Sequence, residues 1–285
     1  MNDSSAGSGQ GANRKDKANS QVEDHTATME RPIRLGSLDL EAHLSDPDRK
    51  QQFVTPMFDV IAPRYDVFTR MFSFGMDAGW KRDALKAAIE NIAGRGEALD
   101  LACGTGDFVL ALANASSELR VTGIDASPRM IDIANARIGA GSVSTAVRER
   151  VSARVGDMMR LDVADQSVDV ITAGYGVRNV PDPATAVREM ARVLKPGGTL
   201  VTMDFYRPEL ALWRALLLGY LSVAGNVVGW WWHRDPVVYG YISRSIEHFM
   251  SWQAFSGLLE QEGFALQRVV RHLGGGLAMH VATRR

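Results

Sequence analysis

Between Asp46 and about Ala93 apolar residues return every three to four positions, at Phe53, Met57, Phe58 and Ile61 and again at Trp80, Leu85, Ala88 and Ile89, the spacing of a helix with one buried face. Pro56 and Pro63 fall inside this stretch and are expected to cut it into short pieces, because proline removes a backbone donor and crowds the preceding turn. The pattern then changes period. Ala98 to Ala102 reads as a short strand, the glycines of CGTGD mark a tight turn, and a helix runs on through Leu112. A second unit follows the same plan: Arg120 to Asp125 (RVTGID) as a strand, then a helix that Ser127 caps and Pro128 opens.

Beyond a loop over Gly139 to Arg150, VSARVGD and SVDVITAGY read as the third and fourth strands, with no helix of ordinary length between them. A helix over Ala184 to Leu194 ends at KPGG, and Thr199 to Phe205 is the fifth strand. The C-terminal part adds a helix from Trp252 to Glu262 and two strands, Ala265 to Val270 and Leu277 to Thr283. Alternating strands and helices predict an α/β fold, a doubly wound and mostly parallel seven-stranded sheet of Rossmann type covered on both faces. The domain is expected over residues 46–285, with a helical segment at 46–93 and an apolar insertion at 206–250, after an N-terminal tail at 1–45.

Composition narrows the function. Lys and Arg number 32 against 33 Asp and Glu, for a net charge of -1, so nothing in the balance calls for nucleic acid. Cys103 is the only cysteine, which excludes an internal disulfide and a cysteine-rich metal site and makes a reducing, cytoplasmic setting the expectation, with no metal required. Residues 1–30 are rich in Gly, Ser, Asn and charge with no apolar block, the composition of a disordered tail, and their acids argue against an organellar transit peptide.

Ligands of a doubly wound sheet sit beyond the carboxyl ends of its central strands, and the distinctive residues fall there. Gly104, Thr105 and Gly106 form the first strand-to-helix turn, where missing side chains let a ligand approach the backbone. Asp125, followed by Ala126, ends the second strand about 20 residues on, where an acid can accept both hydroxyls of a ribose. A dinucleotide would need a third glycine, but Val109 stands in its place, and Asp107 at the helix start would repel a diphosphate. S-adenosylmethionine has no phosphate and carries a positive sulfonium, so Asp100 and Asp107 suit it. Asp157 is placed to accept from an adenine amino group, with Met130 and Met158 as apolar faces; a turn-capping role for Asp157 and plain core packing for the methionines are the competing readings.

The segments FDVIAPRYDVFTRMFSFGMDAGWKR, LDLACGTGD, GYGVRNVPDP, EMARVLKPGG followed by MDFYRP, and GGGLAMH resemble the ubiquinone/menaquinone biosynthesis C-methyltransferases, class I enzymes that use S-adenosylmethionine to methylate a ring carbon of a prenylated quinol. The resemblance covers about Phe53 to Val281. LDLACGTGD and KPGG are shared by many methyltransferases, whereas the opening block and GVRNVPD are selective. The resemblance implies that the first block is a lid over the cofactor, which assigns Tyr65, Asp66, Trp80 and Lys81 to it. Three departures stand out: Thr69 in place of the usual asparagine, a longer stretch at Gly139 to Arg150, and no glycine after His280.

Methyl transfer of this kind asks for positioning and for an acceptor carbon made nucleophilic by a neighbouring phenolate. Arg178 and Asn179, beyond the fourth strand, are the expected donors to that phenolate, with an ion pair from Arg178 to Asp182 or another acid as the competing reading. Tyr175 is a further candidate, as are Tyr65, His248 and His280. Ala215 to Trp232 is uncharged; it is expected to wall in a prenyl tail or to dip into the inner membrane face through residues 210–232, with a buried helix or homodimer face as the alternative. Two other functions fit the cofactor residues alone, a methyltransferase for another small aromatic and a non-catalytic cofactor-binding subunit.

Overall fold

The computed structural model describes residues 47–90, 92, 95–233 and 237–285. Expectations for the tail, and for the side chains of Trp230, Trp231 and Trp232, lie outside what is described.

Three helices come first: α1 (Pro47–Ile61), α2 (Tyr65–Phe72) and α3 (Asp77–Glu90), with a 3-10 turn at Ala62–Arg64 between the first two. Pro56 does not end α1. Val54, Met57 and Ile61 are all buried, so tertiary packing holds the helix across the backbone bond that proline cannot make. The alternating units follow as β1 (Arg95–Leu101), α4 (Asp107–Ala115), β2 (Glu118–Asp125), α5 (Pro128–Ile138), a four-residue α6 (Thr145–Arg148), β3 (Val151–Val155), β4 (Val168–Gly174), α7 (Pro183–Val193) and β5 (Leu194–Phe205). The chain closes with α8 (Ala211–His233), α9 (Val237–His248), α10 (Trp252–Gln261), β6 (Phe264–His272) and β7 (Leu277–Arg284).

The seven strands form one sheet in the order β3-β2-β1-β4-β5-β7-β6. Strands β1 to β5 pair in parallel, and β7 runs antiparallel to both β5 and β6. The order reverses between β1 and β4, so the loops after these two strands diverge to opposite faces and leave a crevice at their carboxyl ends. Leu101, Ile171, Val170, Leu200 and Ala282 are fully buried, as strands covered on both faces must be.

Ser127 accepts from Met130 N at 3.1 Å and so caps α5 with Pro128 behind it. The tight packing of α4 on the sheet is achieved from the strand side: a Cβ at Gly123 would lie 2.8 Å from Val109 Cγ2 and Cys103 Sγ. Val109 therefore fits where a dinucleotide-binding turn would have its own glycine. The stretch expected as a loop at Gly139 to Arg150 holds α6, capped by Ser144. Among the described residues no helix is long and apolar enough to cross a membrane. In α8, Leu217 and Leu221 are buried while Leu212, Leu216, Val223 and Val227 are exposed.

Candidate active site

Two cavities meet at the crevice. The smaller, about 90 Å³, is lined by Gly104, Asp125, Ala126, Met130, Asp157, Met158 and Asn179 from the sheet side and by Val54, Thr55 and Phe58 from α1. The larger, about 380 Å³, is almost wholly apolar, walled by α1, α2, α8 and α9 and by Phe205 at the end of β5. Phe58, Tyr65 and Tyr175 line both.

In the small cavity, backbone geometry holds Asp125. Its Oδ2 accepts from Gly104 N and its Oδ1 from Ser127 N, both at 2.8 Å. Burial raises its pKa although the two amides oppose the shift, and each oxygen keeps a lone pair for a ligand hydroxyl. Gly104 has φ of 53°, and a side chain there would reach the Tyr65 ring inside the cavity. Asp157 accepts from Met159 N at 2.8 Å, so it caps its turn and also faces the cavity. Met130 and Met158 are buried and line it as well.

Three other residues expected at the cofactor, Asp100, Thr105 and Gly106, do not line this cavity. Asp100 is 1% exposed and accepts from Thr172 Oγ1 at 2.7 Å; burial pushes its pKa up to about 7. Thr105 donates to Asp66 Oδ1 at 2.8 Å, which ties it to α2. Gly106 opens α4 with φ of 87°. Asp107 is not a bare negative charge, since Lys81 and Arg137 pair with it at 2.9 and 2.6 Å. Burial would raise its pKa, but these cations, Lys81 first, hold it below the usual value.

A cofactor with a ribose and a positive centre fits this donor set. Asp125 and Asp157 are its carboxylates, three aromatic rings stand at its inner wall, and none of the described residues lining it is a lysine or arginine. A diphosphate would find no cation there, whereas a sulfonium is favoured by carboxylates and ring faces.

Arg178 sits in the wall of the large cavity, 6% exposed. Its ion-pair partner is Asp204, at 2.5 Å and fully buried, not Asp182, which caps α7 by accepting from Ala184 N. Arg178 also donates to Tyr175 O at 2.9 Å and lies 5.7 Å from the Phe205 ring centre. Its Nε and the Tyr175 hydroxyl are buried with no hydrogen-bond partner among the described residues. Burial drives the Tyr175 pKa well above 10, so this hydroxyl is a donor at neutral pH. Asn179 faces the small cavity, and its amide is engaged at both ends, donating to Tyr175 O and accepting from Tyr241. Thr69 donates back to Tyr65 O at 2.9 Å and lines the large cavity, as does Trp80.

Neither candidate histidine lines either of these two cavities. His280 is fully buried beside Tyr206, Trp252 and Ser256, with its pKa pushed down to about 4 by burial. His248 is exposed and bonded to Arg244 O. Sequence reasoning missed three residues that hold the site: Asp204 under Arg178; Lys50, which donates to Arg178 O and Val180 O at 2.8 Å each; and Asp59, which accepts from Ser127 Oγ at 2.5 Å.

Comparison with known proteins agrees with this geometry. A ubiquinone/menaquinone biosynthesis C-methyltransferase (UbiE) from Geotalea daltonii is 36% identical over 216 residues, 75% of this chain and 89% of that protein. A demethylmenaquinone methyltransferase from Lactiplantibacillus plantarum is 32% identical, over 81% of this chain and 95% of its own length. A solved SAM-dependent methyltransferase from Thermotoga maritima shares the fold at a TM-score of 0.53 and 19% identity, over 81% of this chain and 100% of that one. Residues 47–284 match the model of one family. The chain belongs to the ubiE/COQ5 methyltransferase family.

Proposed function

We propose that the chain transfers a methyl group from S-adenosylmethionine to a ring carbon of a reduced, prenylated demethylquinone, a step in menaquinone or ubiquinone synthesis. One observation carries the reading. A cation-free cavity with two carboxylates meets a larger apolar cavity at Phe58, Tyr65 and Tyr175, and Arg178 stands in the wall of the apolar side. The names of the relatives point to the same acceptor.

Asp125 and Asp157 would hold the ribose and the adenine, with Met130 and Met158 against the base. S-adenosylmethionine, when bound, supplies a methyl group activated by positive sulfur. The chain's own part is to place the acceptor ring at the shared aromatic wall and to hold its oxygen as an anion. Arg178 Nε and the Tyr175 hydroxyl are two buried donors without partners among the described residues, the kind of group a phenolate oxygen would satisfy. Asp204 fixes the guanidinium from behind through Nη1. Burial works against the charge on Arg178, but the buried Asp204 carboxylate outweighs it and keeps the guanidinium protonated, so Arg178 cannot act as a base and its part is to stabilise the anion.

The apolar cavity suits the prenyl tail. Its mouth carries Phe74, Met76, Leu216 and Tyr220, respectively 75%, 43%, 57% and 39% exposed, with Phe74 stacked on Tyr220 at 5.8 Å. An apolar rim around an apolar opening supports uptake of the tail from a membrane face, with residues 210–232 against the lipid. The test is a pair of assays with one demethylated quinone, reduced and oxidised. Methylation of the reduced form alone is expected. Equal methylation of both forms would overturn the phenolate mechanism.

A further inference from the structure

Helix α1 is attached to the rest of the site by a charged residue near each end. Near its start, Lys50 Nζ donates to the carbonyls of Arg178 and Val180, at the 3-10 turn that carries Arg178 and Asn179. Near its end, Asp59 Oδ1 accepts from Ser127 Oγ and, at 3.2 Å, from Arg129 N, both at the N-terminus of α5. The signs match the partners: an ammonium meets carbonyl oxygens, and a carboxylate meets the positive end of a helix. Ser127 N in turn donates to Asp125 Oδ1, so Asp59 reaches the candidate ribose-binding carboxylate through one residue.

The residues of α1 that wall the small cavity, Val54, Thr55 and Phe58, all lie between these two attachment points. The nine positions separating Lys50 from Asp59 span roughly 13 Å of helix. Pro56 stands inside this span and removes one of the helix's own hydrogen bonds, so α1 depends on what it docks against.

From this arrangement we infer that α1 is a strap across the cofactor cavity, latched by Lys50 and Asp59, and that release of these latches sets the rate at which spent cofactor leaves and fresh cofactor enters. The inference rests on the reading of the small cavity as the cofactor site. Lys50 and Asp59 are positioning residues: they act through α1 and through the turns they hold.

The test uses the full chain with S-adenosylhomocysteine as the probe, in Asp59→Ala and, separately, Lys50→Met. Alanine has a higher helix propensity than aspartate, so a looser α1 in Asp59→Ala reports the lost latch and not a weaker helix. The dissociation rate constant, read by stopped-flow displacement, is expected to rise at least fivefold in each variant. In the cofactor-free chain, hydrogen exchange should quicken in residues 50–61 while β1, β4 and β5 stay protected. Unchanged dissociation with wild-type exchange overturns the strap, and so does faster exchange without faster dissociation. Should Asp59→Ala fail to fold, Lys50→Met carries the same two readouts. Wild-type protein that does not bind S-adenosylhomocysteine would overturn the cofactor reading itself, a result distinct from tight binding with unaltered rates in the variants.

Discussion

Changing Asp100 to asparagine is expected to make the cofactor-free protein more stable. Asp100 is 1% exposed at the end of β1, where burial lifts its pKa from 3.8 to about 7 against the opposing bond from Thr172, and nearby Asp125 adds to the rise. A carboxyl whose folded pKa is raised contributes its stability fully below the unfolded value and loses it as pH climbs through the folded one. Three units correspond to about 4 kcal/mol at 1.36 kcal/mol each, withheld at pH 8 and restored below about pH 4. Asparagine keeps an oxygen for Thr172 and has no charge to bury, so it should recover about 2–4 kcal/mol at pH 8 once relaxation around the charge is allowed for. For a domain of this size that is a rise of roughly 5–15 °C in Tm. Calorimetry of both proteins at pH 8 and pH 4 reads it directly. A Tm gain equal at the two pH values, or a loss at pH 8, would refute the argument that the cost is a buried charge.

Three further outcomes follow from the same geometry. Asp125→Asn keeps an acceptor for Gly104 N or Ser127 N but loses the charge-assisted bonds to ribose, each worth about 1.5–3 kcal/mol; affinity for S-adenosylmethionine should fall at least tenfold by calorimetry, and an unchanged affinity would remove Asp125 from the site. Arg178→Ala and Arg178→Lys should lower kcat about 10²–10³-fold and less than that, respectively, with cofactor affinity nearly intact; wild-type turnover in both would leave Arg178 as the buried partner of Asp204 and nothing more. Because one isoprenoid unit buries about 100 Å² and so contributes about 2.5 kcal/mol before ordering costs, KM should fall with each added unit until the cavity is filled. A KM independent of tail length would separate the large cavity from the tail.

The central strands were legible because parallel strands covered on both faces are written as short apolar runs between turn residues, as β1, β2 and β4 are. Edges of elements were less so. Strand β5 begins at Leu194 and not Thr199, since Leu194 pairs with Val168 across an irregularity that admits KPGG into the strand. Pro56 was read as a break, yet packing of Met57 and Ile61 carries α1 through it. In the site, Gly104 and Asp125 could be found because order along the chain alone brings the ends of β1 and β2 together. Lys50 meets carbonyls 128 and 130 positions away, and Asp204 meets a guanidinium 26 positions back. No local pattern announces such pairs. Charge was misjudged for the same reason: Asp107 looked like a free acid until Lys81 and Arg137 were brought to it.

The central claim is that the two cavities deliver a methyl group to ring carbon. The most direct measurement incubates the protein with S-adenosylmethionine labelled in its methyl group and a series of reduced demethylated benzoquinols and naphthoquinols, and locates the label in the product by mass spectrometry and NMR. The account predicts label on the ring carbon next to a hydroxyl-bearing carbon for at least one prenylated quinol. Label on a quinol oxygen, or cofactor binding with no transfer to any member of the series, would contradict it.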